Sequence, residues 1–268
     1  MCQIKFIILK LLLLYIDKYS PFFKHSKFEH EKEYRIVIEI SDKYLIENGL
    51  KGCYGENHIN MANIHPMAIV SPDAKLGSGV EVGAFAIIEG NVTIGDNCKI
   101  HPNAIIREYS TLGNNCEVFP GAVIGGTPQD LKFDGEVSYV RIGNNVSIHE
   151  YATINRGTKA SGKGVTQIGD NTLIMSYVHV AHDCRIGSHC ILVSYVGCAG
   201  ETDVDDWAII GGGTLVHQFS HIGTHAMVGG ASAVNKDIPP YAVAVGVPAK
   251  VVKYRFSPDT IEALEETG

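Results

Sequence analysis

The stretch HVAHDC, residues 179–184, places two histidines, an aspartate and a cysteine within six positions of a chain otherwise dotted with glycine and aliphatic residues. Three chemistries suit those residue types. His179 and His182 supply nitrogen ligands for a metal such as zinc, with His217 as a third. Alternatively, a neutral imidazole takes a proton near pH 7, with Asp183 beside it as an orienting carboxylate. Both histidines are otherwise ordinary solvated side chains. No serine or cysteine stands in a recognised nucleophile motif. His217 lies one place out of step with His182 and two repeats further on, which weighs against a shared metal within one chain. His101, His149, His189, His221 and His225 read as solvated, and Asp205-Asp206 as a turn.

The elements that hold these residues must be drawn from 268 residues, of which 45% are hydrophobic and 19% charged. That composition supports a packed core. A net charge of −7 argues against a general nucleic-acid binder. Seven cysteines, an odd number without a C-x-x-C pair, read as free thiols in a reducing compartment, and the chain is expected in the cytoplasm. IKFIILKLLLLYI (4–16) is short for a membrane span and carries Lys10. No small-residue cleavage site follows it. Residues 1–60 carry no chemical motif and are expected to be an upstream extension, with Met61 as the expected true start.

From residue 64 the period is six. Ile64, Val70, Leu76, Val82, Ile88, Ile94, Ile100, Ile106, Leu112, Val118 and Ile124 are all aliphatic. The phase resumes at Ile142 and again at Ile168, then runs to Val234, with Cys198 as one small exception among 26 hexads. Neither a helix nor a simple strand has that period, whereas a solenoid of short strands and turns does. Recurrent IGDN, LGNN and IGNN supply the turns, because Gly and Asn tolerate positive φ. Two stretches break the phase, within 125–140 and at 155–167. They carry Gln129, Asp130, Lys132, Arg156, Lys159 and Lys163, and loops on a rigid scaffold favour binding.

Residues 64–253 resemble the hexapeptide-repeat family, which implies an all-β, left-handed parallel β-helix of three hexads per coil. Residues 18 apart then stack: Cys98 under Cys116, and His182, Gly200 and Gln218 in one ladder. TPQDLKFDGE, TINRGT, HVAHDCRIG and GGTLVHQF, in that order, resemble the UDP-N-acetylglucosamine acyltransferases that begin lipid A synthesis. The resemblance implies a cytoplasmic homotrimer, without cofactor, metal or stable membrane insertion, whose partners are acyl carrier protein and UDP-N-acetylglucosamine. His182 then matches the general base, Asp183 its orienting partner and Gly200 the oxyanion donor. Asp130, Lys132, His179, His217 and Gln218 match substrate contacts, and Gly230 the position that limits acyl length.

Two features depart from the family pattern. Glu201 stands where many members carry a histidine, and a carboxylate still accepts a sugar hydroxyl. After DIPPYAVAVG the family has an arginine-rich segment and a helical domain. This chain reads VPAKVVKYRFSPDTIEALEETG, similar to the tail of acetyl-CoA-dependent hexapeptide enzymes. A CoA-dependent O-acyltransferase and a non-catalytic scaffold are therefore the alternatives. The expected layout is 1–60 extension, 61–255 β-helix and 256–268 short helix, with Ser257 as helix cap and Pro258 at its first turn. Arg185, Lys236, Lys250, Lys253 and Arg255 are candidate contacts for an acidic carrier protein.

Overall fold

The computed structural model describes residues 62–267, and the reading of residues 1–60 as an extension lies outside them. The described chain is a left-handed parallel β-helix. Strands of mostly two residues alternate with turns, and every third strand pairs in parallel, giving sheets of 11, 9 and 8 strands along the three faces of a prism. The register matches the repeat: Val180 pairs with Ile154 below and Cys198 above, and Cys198 with Val216.

Each strand is too short to bury an apolar stripe alone, so the stabilisation comes from stacking inward residues. Ile88, Ile106, Ile124, Ile154, Ile174 and Ile210 are all at most 1% exposed. Cys198, the exception to the aliphatic rule, is fully buried. Ile64 is 39% exposed, since it opens the described stack. Residues three places after an inward one take left-handed backbone, as at Asn97 (φ 56°), Asn115 (φ 55°) and Asp183 (φ 60°). Asn and Asp bear that conformation at lower cost than most residues. The asparagines also form a ladder, with the Asn115 amide donating to Asn145 and Asn145 to Asn171.

The place before it, two after the inward residue, leaves its N–H outside the strand ladder. Pro66, Pro72, Pro102, Pro120 and Pro240 occupy it, which is tolerable only where no ladder bond is needed. At the corner between third and first faces that N–H instead takes a side-chain oxygen from the next coil. Ser78 donates to Asp96 Oδ1 (2.7 Å), Asn144 to Asp170 Oδ1 (2.6 Å) and Ser188 to Asp206 Oδ1 (2.7 Å).

The period breaks as expected. The first loop, 127–138, leaves the strand Val123–Gly126, and the second, 156–164, leaves Thr153–Asn155. Both leave the second face and return on the third. His182-Asp183 and Gly200 sit at that same corner in the next two coils, between His179–Val180 and Arg185–Ile186 and between Gly197–Cys198 and Asp203–Val204. At the end of the prism, Lys250–Tyr254 pairs antiparallel with Ala242–Val245. A helix follows over Pro258–Thr267, capped by Ser257, whose carbonyl accepts from Ile261 and whose hydroxyl accepts from Thr260 N–H. No helix of the described residues is long and apolar enough to cross a membrane.

Candidate active site

His182 is held edge-on at the corner, with its side chain 16% exposed. Its Nδ1–H donates to Asp183 Oδ2 at 2.9 Å. A carboxylate only accepts, so this bond keeps the proton on Nδ1 and leaves Nε2 with a free lone pair. Asp183 is fully buried, and its carboxylate is satisfied by donors from the second loop: the Thr158 N–H at 3.0 and 2.9 Å and the Thr158 hydroxyl at 2.8 Å. Burial of a carboxylate is tolerable with that many partners.

Gly200 lies one coil above His182. A Cβ on Gly200 would stand 2.5 Å from His182 Nε2 and 2.6 Å from Cε1, so only glycine lets the imidazole occupy this place. The Gly200 N–H falls at the corner position outside the ladder and donates to no described residue. At the other corner the equivalent N–H binds carboxylates of Asp96, Asp170 and Asp206, so the geometry suits an anionic oxygen. In the coil above stands Gln218, exposed, which makes the expected ladder.

The first loop closes the site from the other side. Asp130 Oδ2 lies 3.8 Å from His182 Nε2, with the Asp130 side chain 22% exposed. Lys132 is exposed, and its N–H donates to Asp130 Oδ1 at 3.0 Å. His179 shares a 2.8 Å hydrogen bond with Thr153 Oγ1. Burial, and then the charge of neighbouring His182, hold its pKa below the ordinary imidazole value, so it is neutral near pH 7. Glu201 is half-buried, with its N–H on the His182 carbonyl at 3.0 Å.

Other residues are placed differently from their neighbours in sequence. His217 is exposed and turns its Nδ1–H onto the Gln218 carbonyl at 3.0 Å. Gly230 stands at the other edge of the second face, at the corner before Ala233–Val234, with a Cβ there 3.1 Å from the Gly212 carbonyl. Within one chain it is not brought to His182. Arg156, a loop cation by sequence, is only 8% exposed: it pairs with Glu108 at 3.5 Å and covers the Phe133 ring. Lys163 reaches the Asp183 carbonyl at 3.4 Å. Sequence reasoning missed Thr158 and Thr166, whose hydroxyls fix Asp183; the TINRGT motif contains Thr158, and no motif marked Thr166.

Among the described residues no group of three or more histidine, cysteine or acidic side chains is arranged to hold a metal ion. Nor is a thiolate available beside His182. Burial pushes the Cys184 thiol up to about 12, and Cys190 up to about 11. Of the remaining histidines, read from sequence as solvated, His221 is exposed and pairs with Asp205 at 2.6 Å, whereas His101, His149, His189 and His225 are half-buried: His101 pairs with Glu117 at 2.8 Å, His149 stacks on Phe119, and His189 and His225 stack on Trp207.

A base with a fixed tautomer, an unused N–H above it and a carboxylate loop beside it can deprotonate a hydroxyl next to an acyl carbonyl. Known proteins with this architecture do related chemistry. The family described as Bacterial transferase hexapeptide (six repeats) matches residues 91–126 and 166–200. The acyl-[acyl-carrier-protein]–UDP-N-acetylglucosamine O-acyltransferase of Burkholderia lata is 50% identical over 212 residues, covering 76% of this chain and 80% of that protein. Its counterpart from Aliarcobacter butzleri is 54% identical over 186 residues, 69% of this chain and 71% of that one. The solved UDP-N-acetylglucosamine acyltransferase from Campylobacter jejuni superposes with a TM-score of 0.71 at 39% identity, over 76% of this chain and 82% of that one. The chain belongs to the acyl-[acyl-carrier-protein]–UDP-N-acetylglucosamine O-acyltransferase family of hexapeptide-repeat acyltransferases.

Proposed function

We propose that this acyltransferase moves a 3-hydroxyacyl chain from acyl carrier protein to the 3-hydroxyl of UDP-N-acetylglucosamine, the first step of lipid A synthesis, with His182 as general base. One observation carries the reading: His182 keeps Nε2 free because Nδ1 is bonded to buried Asp183, directly beneath the unused Gly200 N–H. The sugar hydroxyl gives its proton to Nε2 as its oxygen attacks the thioester carbonyl. The resulting oxyanion takes the Gly200 N–H, a donor typically worth about 3 kcal/mol of barrier. Collapse breaks the C–S bond, and the departing thiolate of the carrier protein takes the proton from the imidazolium.

The surrounding groups suit the two substrates. Asp130 and Glu201 offer acceptors to sugar hydroxyls, neutral His179 is a partner without charge, and exposed Lys132 is a cation for the diphosphate. His217 and Gln218 line the same edge two coils above His182. Gly230 sits about three strand spacings from His182 along the axis, roughly 14 Å, where an extended acyl chain would end. The working form is a cytoplasmic homotrimer with each cleft between neighbouring subunits. Carrier-protein contacts fall to Lys236, Lys250 and Lys253, which are exposed. Arg185 is already paired with Asp203 and Asp205, and Arg255 donates to the His225 carbonyl.

A second reading rests on the tail, where Gly246–Val252 resembles CoA-dependent enzymes and leads into the antiparallel strand Lys250–Tyr254. It keeps the same base and takes the acyl group from acetyl-CoA. Transfer to UDP-N-acetylglucosamine is therefore measured with 3-hydroxymyristoyl carrier protein and with acetyl-CoA, on wild type and His182→Ala. The expected result is transfer from the carrier protein alone and a kcat loss of about 100-fold or more in the variant. Transfer from acetyl-CoA alone would assign the donor to the tail's reading, and none from either donor would return the chain to a scaffold role.

A further inference from the structure

Asp183 has more partners than an orienting carboxylate requires, and they all come from one segment. Its carboxylate takes the Thr158 N–H on both oxygens and the Thr158 hydroxyl on Oδ2, the oxygen that also takes His182 Nδ1–H. Its own N–H donates to Thr166 Oγ1 at 2.8 Å, and its carbonyl takes Lys163 Nζ at 3.4 Å. Thr158 and Thr166 are fully buried. The chain reaches this position only because residue 157 is glycine: a Cβ there would meet the Val165 nitrogen and stand 2.6 Å from Asp183 Oδ1. Thr158 is itself braced, its carbonyl accepting from the Ser161 hydroxyl at 3.0 Å and its hydroxyl oxygen from the Ser161 N–H at 3.3 Å. The second loop is thus bonded to the pair that does the chemistry.

We propose that Thr158 is a positioning residue for the general base, fixing the plane of the Asp183 carboxylate and setting how strongly that carboxylate holds the proton on His182. This rests on the reading of His182 as the base. The backbone N–H bridging both oxygens fixes the carboxylate plane. The hydroxyl shares Oδ2 with the imidazole N–H and so draws on the same lone pairs. Without the hydroxyl, Oδ2 concentrates on the imidazole, the imidazolium is favoured, and the base stays protonated to a higher pH.

The test compares wild type, Thr158→Val, Thr158→Ser and His182→Ala, measuring kcat and KM for UDP-N-acetylglucosamine against pH, with thermal melts alongside. Valine keeps the shape and the backbone N–H but removes the hydroxyl, and serine restores it. For Thr158→Val the expectation is kcat lower by about tenfold and KM within about twofold of wild type. The acid limb of kcat/KM moves up by roughly half a pH unit. Thr158→Ser should keep the wild-type limb. A raised KM or lowered melting temperature with the limb unmoved would make Thr158 a loop brace only and overturn the proposal. If valine prevents folding, Thr158→Ser and Thr158→Ala carry the same comparison. An inactive His182→Ala beside a Thr158→Val of wild-type profile overturns this inference alone, whereas an active His182→Ala removes the base reading with it.

Discussion

Replacing Gly200 with alanine puts a methyl group into the space of the His182 ring, and the structure gives the size of the collision. The new Cβ would lie 2.5 Å from Nε2 and 2.6 Å from Cε1. Non-bonded carbon prefers about 3.5–4.0 Å, so the imidazole must retreat by about 1 Å. Retreat stretches the 2.9 Å bond from Nδ1 to Asp183 beyond hydrogen-bond range, and it withdraws Nε2 from the hydroxyl that the proposed base deprotonates. A displacement of that size costs about 100-fold in rate, or about 2.7 kcal/mol of barrier. The Gly200 N–H survives the substitution, so the loss reports the base rather than the oxyanion donor. The backbone of Gly200 lies outside the left-handed region, so alanine is admissible and the fold should be kept. The assay is steady-state transfer from the carrier-protein donor, with circular dichroism to confirm the fold. A folded Gly200→Ala enzyme with kcat/KM within about threefold of wild type would refute the reasoning, because the ring would then not be acting from where it stands.

Two further expectations concern stability. His179 has its pKa lowered from 6.5, chiefly by burial, so below that value the unfolded chain binds a proton that the folded chain resists. Stability contributed by neutral His179 is complete above about pH 6.5 and is lost as pH falls below it. Urea midpoints taken at about pH 7.5 and pH 5.5 should therefore fall less in His179→Gln than in wild type, and equal falls would count against the burial argument. Ile174 is fully buried, and Ile174→Ala should cost about 2–5 kcal/mol in chemical denaturation. A loss under about 1 kcal/mol would mean that neighbouring coils close over the gap.

The fold was readable because every hexad repeats one geometric demand, an inward aliphatic residue two places before a corner. Cys198 obeyed that demand by burial although its type broke the pattern. The helix start was equally local, since Ser257 and Pro258 act within one turn. What escaped were contacts that close through loops. Asp130 meets His182 Nε2 from 52 positions away in sequence, and Thr158 meets Asp183 across the second loop, and no period connects them. Arg156 looked like a free cation because its partners, Glu108 and Phe133, come from an earlier coil and the other loop. His217 kept its predicted place on the backbone, yet its ring turns to the next carbonyl, a choice of rotamer that spacing does not encode.

The corner N–H groups give this scaffold a socket that recurs along its edges wherever the corner residue is not proline. Along the edge between third and first faces the sockets are plugged from within, by Asp96, Asn114, Asn144, Asp170, Ser188 and Asp206 in turn. At Gly200 the residue above is Gln218, which does not plug it. With Gly200 as the proposed oxyanion donor, rigidity and catalysis are two uses of one backbone feature, separated by which residue stands 18 positions later. A carboxylate at 218 would convert the second use into the first, giving a prism that is firmer at this coil and closed to its own substrate.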